Sequence, residues 1–262
     1  MKHSSKLVLS AVALASAAFA QTSFAEESLA YNVGVISEYR YRGLGQTKGN
    51  PALQGGVDYD SGKGFYLGAW GSTIKWIADA VPNTDPDLGP VGQKAKGSVE
   101  LDLYGGYKFE AAGMAFDVGY LRYEYVGNKY KDIGGTAVNA NTDELYGAAT
   151  YGPFTLKYSR AISNIFGYGD SKGSTYWDLS ATFDLGDGYT LVPHAGRQNY
   201  KNNEFYSYTD VALTLNKDLG NGLSASLSAI NTNGKEATFK PLSDSGYNAA
   251  KSTLVVGLKY TF

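Results

Sequence analysis

Apolar and polar residues alternate along this chain in segments of about ten, the pattern of transmembrane strands whose two faces meet different surroundings. In residues 31–42, Val33, Val35, Tyr39 and Tyr41 fall on one face, and Glu38, Arg40 and Arg42 on the other. Three charges on one face of a strand require water beside them. Val99, Leu101, Leu103 and Tyr107 alternate in the same way with Glu100, Asp102 and Tyr104. Further on, Trp177, Leu179, Ala181 and Phe183 alternate with Asp178, Ser180, Thr182 and Asp184, and Val211, Leu213 and Leu215 with Asp210, Ala212, Thr214 and Asn216. Leu223, Ala225, Leu227 and Ala229 alternate with serines 224, 226 and 228. In the final segment Leu254, Val256, Leu258, Tyr260 and Phe262 oppose Val255, Gly257, Lys259 and Thr261. Fainter segments at 52–60, 64–76, 114–126, 144–151, 154–162 and 189–199 bring the expectation to about 12 strands. The pattern leaves the inward frame of 64–76 and 114–126 open. Pro193 interrupts 189–199, because it cannot donate to a ladder, and a bulge is one way to accommodate it.

The connections follow a second pattern. Ser61-Gly62-Lys63, Ala111-Ala112-Gly113, Gly152-Pro153, Gly186-Asp187-Gly188 and Gly220-Asn221-Gly222 read as tight turns. The other connections, 43–51, 77–96, 127–143, 163–174, 200–205 and 231–251, are longer. Short and long alternate strictly, as in outer-membrane barrels with tight periplasmic turns and long outer loops. The predicted fold is all-β: a transmembrane antiparallel up-and-down β-barrel of about 12 strands, with both ends in the periplasm. A soluble sandwich or lipocalin-like barrel is the rival. Its apolar face would point inward and its charges outward. Alternation alone does not decide which face is inside, but one face rich in Leu, Val, Tyr and Trp favours the membrane version.

Composition sharpens this picture. The chain has 33 Gly and 22 Tyr, which suit tight turns, close backbone approach and strands at a membrane interface. It has no Cys, so disulfides, thiolate metal sites and Cys nucleophiles are excluded. Lys2, His3 and Lys6, the apolar run from Leu7 to Ala20 and the small-x-small site Ser23-Phe24-Ala25 read as a signal peptide over 1–25, with cleavage after Ala20 as the alternative. Residues 26–262 then form the barrel domain, which carries 21 bases against 25 acids. No basic stripe appears, so no nucleic-acid partner is expected. No apolar run of 18 residues follows Ala25, so any crossing is by strands.

With the amino terminus in the periplasm, Arg40, Arg42, Glu100, Asp102, Asp178 and Asp210 fall toward the outer half of the lumen, and Glu38 lies deeper. Together with His194 they are the candidate pore-lining residues, since charges in a narrow pore set its selectivity. The other reading is that they pair and plug the interior. Acids outnumber bases among them, which points to a slight cation preference. Tyr39, Tyr41, Trp76, Tyr125, Tyr151, Tyr176, Trp177, Tyr208, Tyr260 and Phe262 are candidates for interface belts. Chemistry is poorly represented: His194 is the single histidine of the mature chain, Gly196 stands where an outer-membrane phospholipase places its serine, and Asp79 to Asp87 reads as a solvated loop rather than a calcium site. No catalytic residue, metal site or cofactor is expected.

A family resemblance points the same way. Asn32-Val-Gly-Val-Ile-Ser-Glu-Tyr-Arg-Tyr-Arg-Gly-Leu-Gly-Gln-Thr47, Pro51-Ala-Leu-Gln-Gly-Gly56, Asp58-Tyr59, Gly64-Phe65-Tyr66, Gly68, Trp70, Glu100-Leu-Asp102 and Tyr104-Gly-Gly-Tyr107 resemble the TorF-type putative porins of proteobacteria. The match is densest over 32–107. Beyond it, Tyr151-Gly-Pro-Phe154 with Lys157-Tyr158 and the terminal strand keep the style. The resemblance implies an outer-membrane barrel and suggests a channel, without a substrate. Terminal Tyr260 and Phe262 resemble the signal read by the outer-membrane assembly machinery. The expected partners are therefore outer-membrane lipid, that machinery, and small hydrophilic solutes or ions, in a Gram-negative outer membrane. A closed structural or adhesion barrel with partner-binding loops is the alternative, and a barrel hydrolase is a more distant one.

Overall fold

The computed structural model describes residues 26–80, 96–240 and 246–262. The signal-peptide segment 1–25 and parts of two long connections lie outside the described residues. Strands form where the two-residue period runs, and end at glycine turns. In chain order they are β1 (Ser28–Ile36), β2 (Ala52–Asp60), β3 (Phe65–Thr73), β4 (Val99–Ala111), β5 (Met114–Tyr125) and β6 (Thr142–Tyr151). Then come β7 (Phe154–Ala161), β8 (Thr175–Ala181, continued as Phe183–Gly186), β9 (Tyr189–Asn199), β10 (Tyr208–Gly220), β11 (Leu223–Thr232) and β12 (Thr253–Thr261). Each strand pairs antiparallel with its sequence neighbours, and β1 pairs with both β2 and β12. The sheet is a closed barrel of twelve strands. Closure leaves no unpaired strand edge, which a hydrocarbon environment demands.

The tight turns have the backbone that twisted hairpins need. Ala112-Gly113, Asp187-Gly188 and Asn221-Gly222 all have positive φ at both residues, from 50° to 82°. At Gly222 a side chain would come within 2.2 Å of the Thr261 carbonyl, so only glycine fits. Pro193 is accommodated without a bulge. Its register with Leu213 on β10 is unbroken, and on the other side the β8 ladder is interrupted between Ser180 and Phe183. The missing donor coincides with that gap. Register shifts occur instead near the turns, at Asp184/Gly186 and Asp218/Gly220.

The two faces are sorted the opposite way from a soluble protein. Leu29, Val33, Val35, Leu67, Leu103, Val118, Leu145, Leu156, Leu179, Leu213, Leu227 and Leu258 are all exposed on the outside. Glu100, Asp117, Glu144, Asp178, His194, Asp210, Ser226 and Ser228 are buried inside. A soluble barrel has its apolar face inward, so the soluble rival is excluded. The two open frames are also settled. Trp70 and Ser72 face inward on β3, as do Asp117, Leu121, Tyr123 and Tyr125 on β5.

The first predicted strand needs correction. Its ladder ends at Ile36, and after Ser37, which still bonds Val256, residues 38–48 leave the wall and fold into the lumen. Tyr39 is therefore not on a lipid face; it is 1% exposed, inside the barrel. Six of the proposed belt residues are corrected in this way: Tyr39, Tyr41, Trp76, Tyr125 and Tyr208 belong to the interior aromatic packing, and Tyr176 is buried inside under the Arg42 guanidinium. Tyr151, Trp177, Tyr260 and Phe262 do face outward.

Candidate functional site

The infolded segment is a short hairpin. Arg40–Tyr41 pair with Leu44–Gly45, and Gln46 donates to the Tyr39 carbonyl at 2.8 Å. Arg42 and Gly43 form its tip with φ of 46° and 79°. A Cβ at Gly43 would lie 2.5 Å from Cβ of Asp210, so the tip rests directly on the wall. Only glycine allows both that backbone and that approach.

Two arginines fix the hairpin in place. The Arg42 guanidinium donates to both carboxylate oxygens of Glu144 on β6, at 3.0 and 2.7 Å, and to Oε1 of Gln198 on β9 at 2.8 Å. It lies 4.2 Å from the ring centre of Tyr176 and 4.9 Å from that of Tyr41. Tyr41 and Tyr123 share a hydrogen bond beside it, and Tyr123 donates to Glu144. A planar fork held by two oxygens and two rings is a geometry that lysine cannot reproduce. Arg40 works toward the outer mouth. It donates to the carbonyls of Gly43, Ala249 and Lys251, at 3.2, 2.7 and 3.0 Å, and pairs with Glu38. The Tyr247 hydroxyl bonds Glu38, and Arg40 donates to that hydroxyl at 3.1 Å. The first and last long connections are thus tied by one charged node. Burial, reinforced by the bond to Glu38, pushes the Tyr247 phenol above its ordinary value, so it remains a hydroxyl.

The wall facing this hairpin is acidic. Tyr39 donates to Glu100 at 2.6 Å, and Asp102 has a buried oxygen with no hydrogen-bond partner. His194 lies between two carboxylates, with Nε2 3.0 Å from Asp178 and Nδ1 3.5 Å from Asp210. The Tyr176 hydroxyl reaches Asp210 at 3.1 Å. Below the hairpin the lumen changes character. Tyr66 donates to Asp117 at 2.7 Å and bonds Tyr146, while Lys157 lies 4.0 Å from the ring centre of Tyr146 and Lys108 4.6 Å from that of Tyr66. Toward the tight-turn end Tyr104 bonds Asp58.

All eight charged or titratable candidates from the sequence face the interior. Glu38, Arg40 and Arg42 reach it on the infolded hairpin, and Glu100, Asp102, Asp178, His194 and Asp210 on wall strands. The candidates fall into four local groups: Glu38 with Arg40, Arg42 beside Glu144, Glu100 and Asp102 beside Tyr39, and Asp178-His194-Asp210. Glu144, Gln198, Lys108, Lys157 and Asp117 were not singled out by the sequence. Glu144 and Lys157 start or sit within fainter strands, where alternation gave few apolar partners. Asp117 lies in a frame the sequence left open. Asp79 pairs with Lys48 at 3.4 Å, and no cluster of metal-ligating side chains occurs among the described residues.

The profile of the family described as "Bacterial protein of unknown function (Gcw_chp)" matches residues 20–262. Among curated proteins compared by sequence, none matches. Solved structures do. A NanC porin aligns with a TM-score of 0.52 at 10% identity, over 89% of this chain and 99% of that one. A KdgM porin in complex with disordered oligogalacturonate aligns with a TM-score of 0.50 at 8% identity, over 89% of this chain and 98% of that one. At such identities the likeness is one of fold. The chain belongs to the Gcw_chp family and has the fold of small outer-membrane porins.

Proposed function

We propose that this member of the Gcw_chp family is an outer-membrane channel for passive diffusion of small hydrophilic solutes or ions. The observation that carries the reading is a charged, polar lumen enclosed by a closed barrel whose exterior is apolar. Hydrocarbon surrounds such a wall, and water inside it lowers the barrier to a polar solute. A signal peptide over 1–25 would deliver the chain for export, residues 26–262 would form the channel, and Tyr260 and Phe262 would present it to the assembly machinery. A KdgM porin of this fold has been seen in complex with oligogalacturonate, which supports a hydrophilic solute for a barrel of this size.

The constriction lies where the infolded hairpin meets the wall. Glu38, Arg40 and Arg42 on the hairpin face Glu100, Asp102, Asp178, His194 and Asp210 on the wall, which sets a field across the path. Inward carboxylates outnumber the inward bases, so the channel prefers cations. No cofactor or chemical step is needed.

The test is solute flux into proteoliposomes. Swelling in isotonic solutions of small sugars, with rates falling as solute size grows, is the expected result. A second reading is a closed barrel whose outer loops bind partners. It draws support from the double anchoring of the hairpin by Arg40 and Arg42. Folded protein in liposomes that do not swell would sink the channel and favour that closed barrel.

A further inference from the structure

On the outside of the wall, the lipid-facing frame turns basic at the long-loop ends of three neighbouring strands. On β7 it runs Leu156, Tyr158, Arg160, and on β9 Ala195, Arg197, Asn199. Arg160 and Arg197 are exposed there, as is Lys201 just beyond β9. Between them on β8 lie Thr175, Trp177 and Leu179. The Tyr158 and Trp177 rings pack with centres 4.6 Å apart. An aromatic pair below basic side chains is the order met at the level of lipid headgroups.

The bases of this outer band are not all treated alike. Arg122 on β5 is neutralised, 2.6 Å from Glu124 and 3.0 Å from Asp143. Arg197 spends its donors on neutral oxygens, Oδ1 of Asn199 at 3.1 Å and Oγ1 of Thr209 at 3.3 Å. Arg160 and Lys201 form no ion pair among the described residues, and the two connections that border this face, 162–174 and 200–207, are described throughout. Their acids are Asp170 and Glu204; Asp170 accepts from Asn202 at 3.0 Å, and neither pairs with a base among the described residues.

Two of these cations are nevertheless brought to one place. Nη2 of Arg160 and Nζ of Lys201 lie 3.6 and 3.8 Å from the point where a Cβ on Gly173 would stand. Gly173 has a φ of 93°, which suits glycine, and its missing side chain leaves that space open. Like charges held together repel unless an anion lies between them. A phosphate can accept from a guanidinium and an ammonium at once. Thr175 pairs with Arg160 on one side and Asn199 on the other, and its hydroxyl accepts from Asn199 at 3.4 Å. Arg197 stands two strands from Arg160 and two residues further into the membrane, with backbones roughly 12 Å apart.

We infer that the outer face of β7–β9 binds a phosphorylated glycolipid of the outer leaflet. One phosphate sits between Arg160 and Lys201 over Gly173, the sugars run toward Arg197, and the acyl chains lie along Leu156, Trp177 and Leu179. The inference needs the barrel to sit in an outer membrane and does not need it to conduct. A phospholipid with a single phosphate fills one of the two cationic positions and leaves the other empty.

The test is native mass spectrometry of the refolded full barrel in detergent, titrated with bisphosphorylated lipid A and, separately, with phosphatidylglycerol. Folding of every variant is checked by heat-modifiable migration on gels. Lipid A should reach half-occupancy at roughly tenfold lower concentration than phosphatidylglycerol, about the effect of one added hydrogen bond between charged groups. Arg160→Gln with Lys201→Gln should raise the lipid A midpoint at least about tenfold, and Arg197→Gln alone about fivefold. Arg122→Gln, in the same band but already neutralised, should stay within about twofold of the parent. Phosphatidylglycerol binding as tightly as lipid A, an unchanged midpoint in the double variant, or an equal loss in Arg122→Gln would each overturn the site. The double variant should conduct as the parent does, because its changes lie outside the lumen. Lipid A binding by a barrel that passes no current would remove the channel and leave the site standing, and current without that binding would do the reverse.

Discussion

Arg42 shows how one side chain can decide the state of the lumen. Its guanidinium is buried and spends its donors on Glu144 and Gln198. Removing one partner of such a pair leaves the other charged, desolvated and unmatched, at a cost of about 3–5 kcal/mol. Glu144→Gln is therefore expected to lower the midpoint of thermal unfolding and loosen the hairpin. Replacing both residues together, as Arg42→Met with Glu144→Met, should recover most of the loss, because no orphan charge remains. Equal midpoints for the single and double variants would show that this pair does not hold the hairpin. Gly43 adds a steric lock: Gly43→Ala puts a methyl group where Asp210 stands, at a φ that disfavours it by about 1–2 kcal/mol. Its expected signature is noisier, larger single-channel current than the parent gives. At this scale the sequence was only partly legible. Tyr176 and Tyr208 share a frame with Asp178 and Asp210, so parity alone marks them as interior. Tyr39 and Tyr41 gave no such signal, because residues 37–42 keep the two-residue alternation after the ladder has ended. The Arg42–Glu144 bond joins residues 102 positions apart, and nothing local announces it.

The strands themselves were the most legible part of the fold. Eleven of the twelve sit where alternation placed them, the first ends at Ile36 short of its predicted span, and each tight turn falls on its glycine, because both features depend on near neighbours along the chain. What the chain does after Ile36 depends on what fills the lumen, which is a property of the whole ring of strands. Two predictions belong here. Leu227 faces outward and Ser226 faces the lumen. Leu227→Arg should cost about 2–4 kcal/mol near the middle of the membrane, and Ser226→Arg clearly less, measured by denaturant unfolding in lipid vesicles. The opposite order would mean that the faces are reversed. Replacing residues 38–49 by a short Gly-Ser linker removes the hairpin but none of the wall pairings. The barrel should still fold, with heat-modifiable migration retained, and conduct several times more current than the parent. Loss of folding would show that the hairpin supports the wall.

On the scale of the whole molecule, the barrel has apolar residues outside and charges inside, and one infolded segment narrows that polar interior. The inward acids, Glu38, Glu100, Asp102, Asp117, Glu144, Asp178 and Asp210, stand against Arg40, Arg42, Lys108, Lys157 and Lys259. Arg40→Gln with Arg42→Gln removes two positive groups from the constriction, so the reversal potential should move further toward cation selectivity. An unchanged potential would take both arginines out of the ion path. The most direct measurement is single-channel current from refolded protein in a planar bilayer with a salt gradient across it. Discrete steps, with a reversal potential of the sign that marks cation preference, are the predicted result. Barrels that insert and fold yet pass no current would contradict the open channel and leave a plugged barrel in its place.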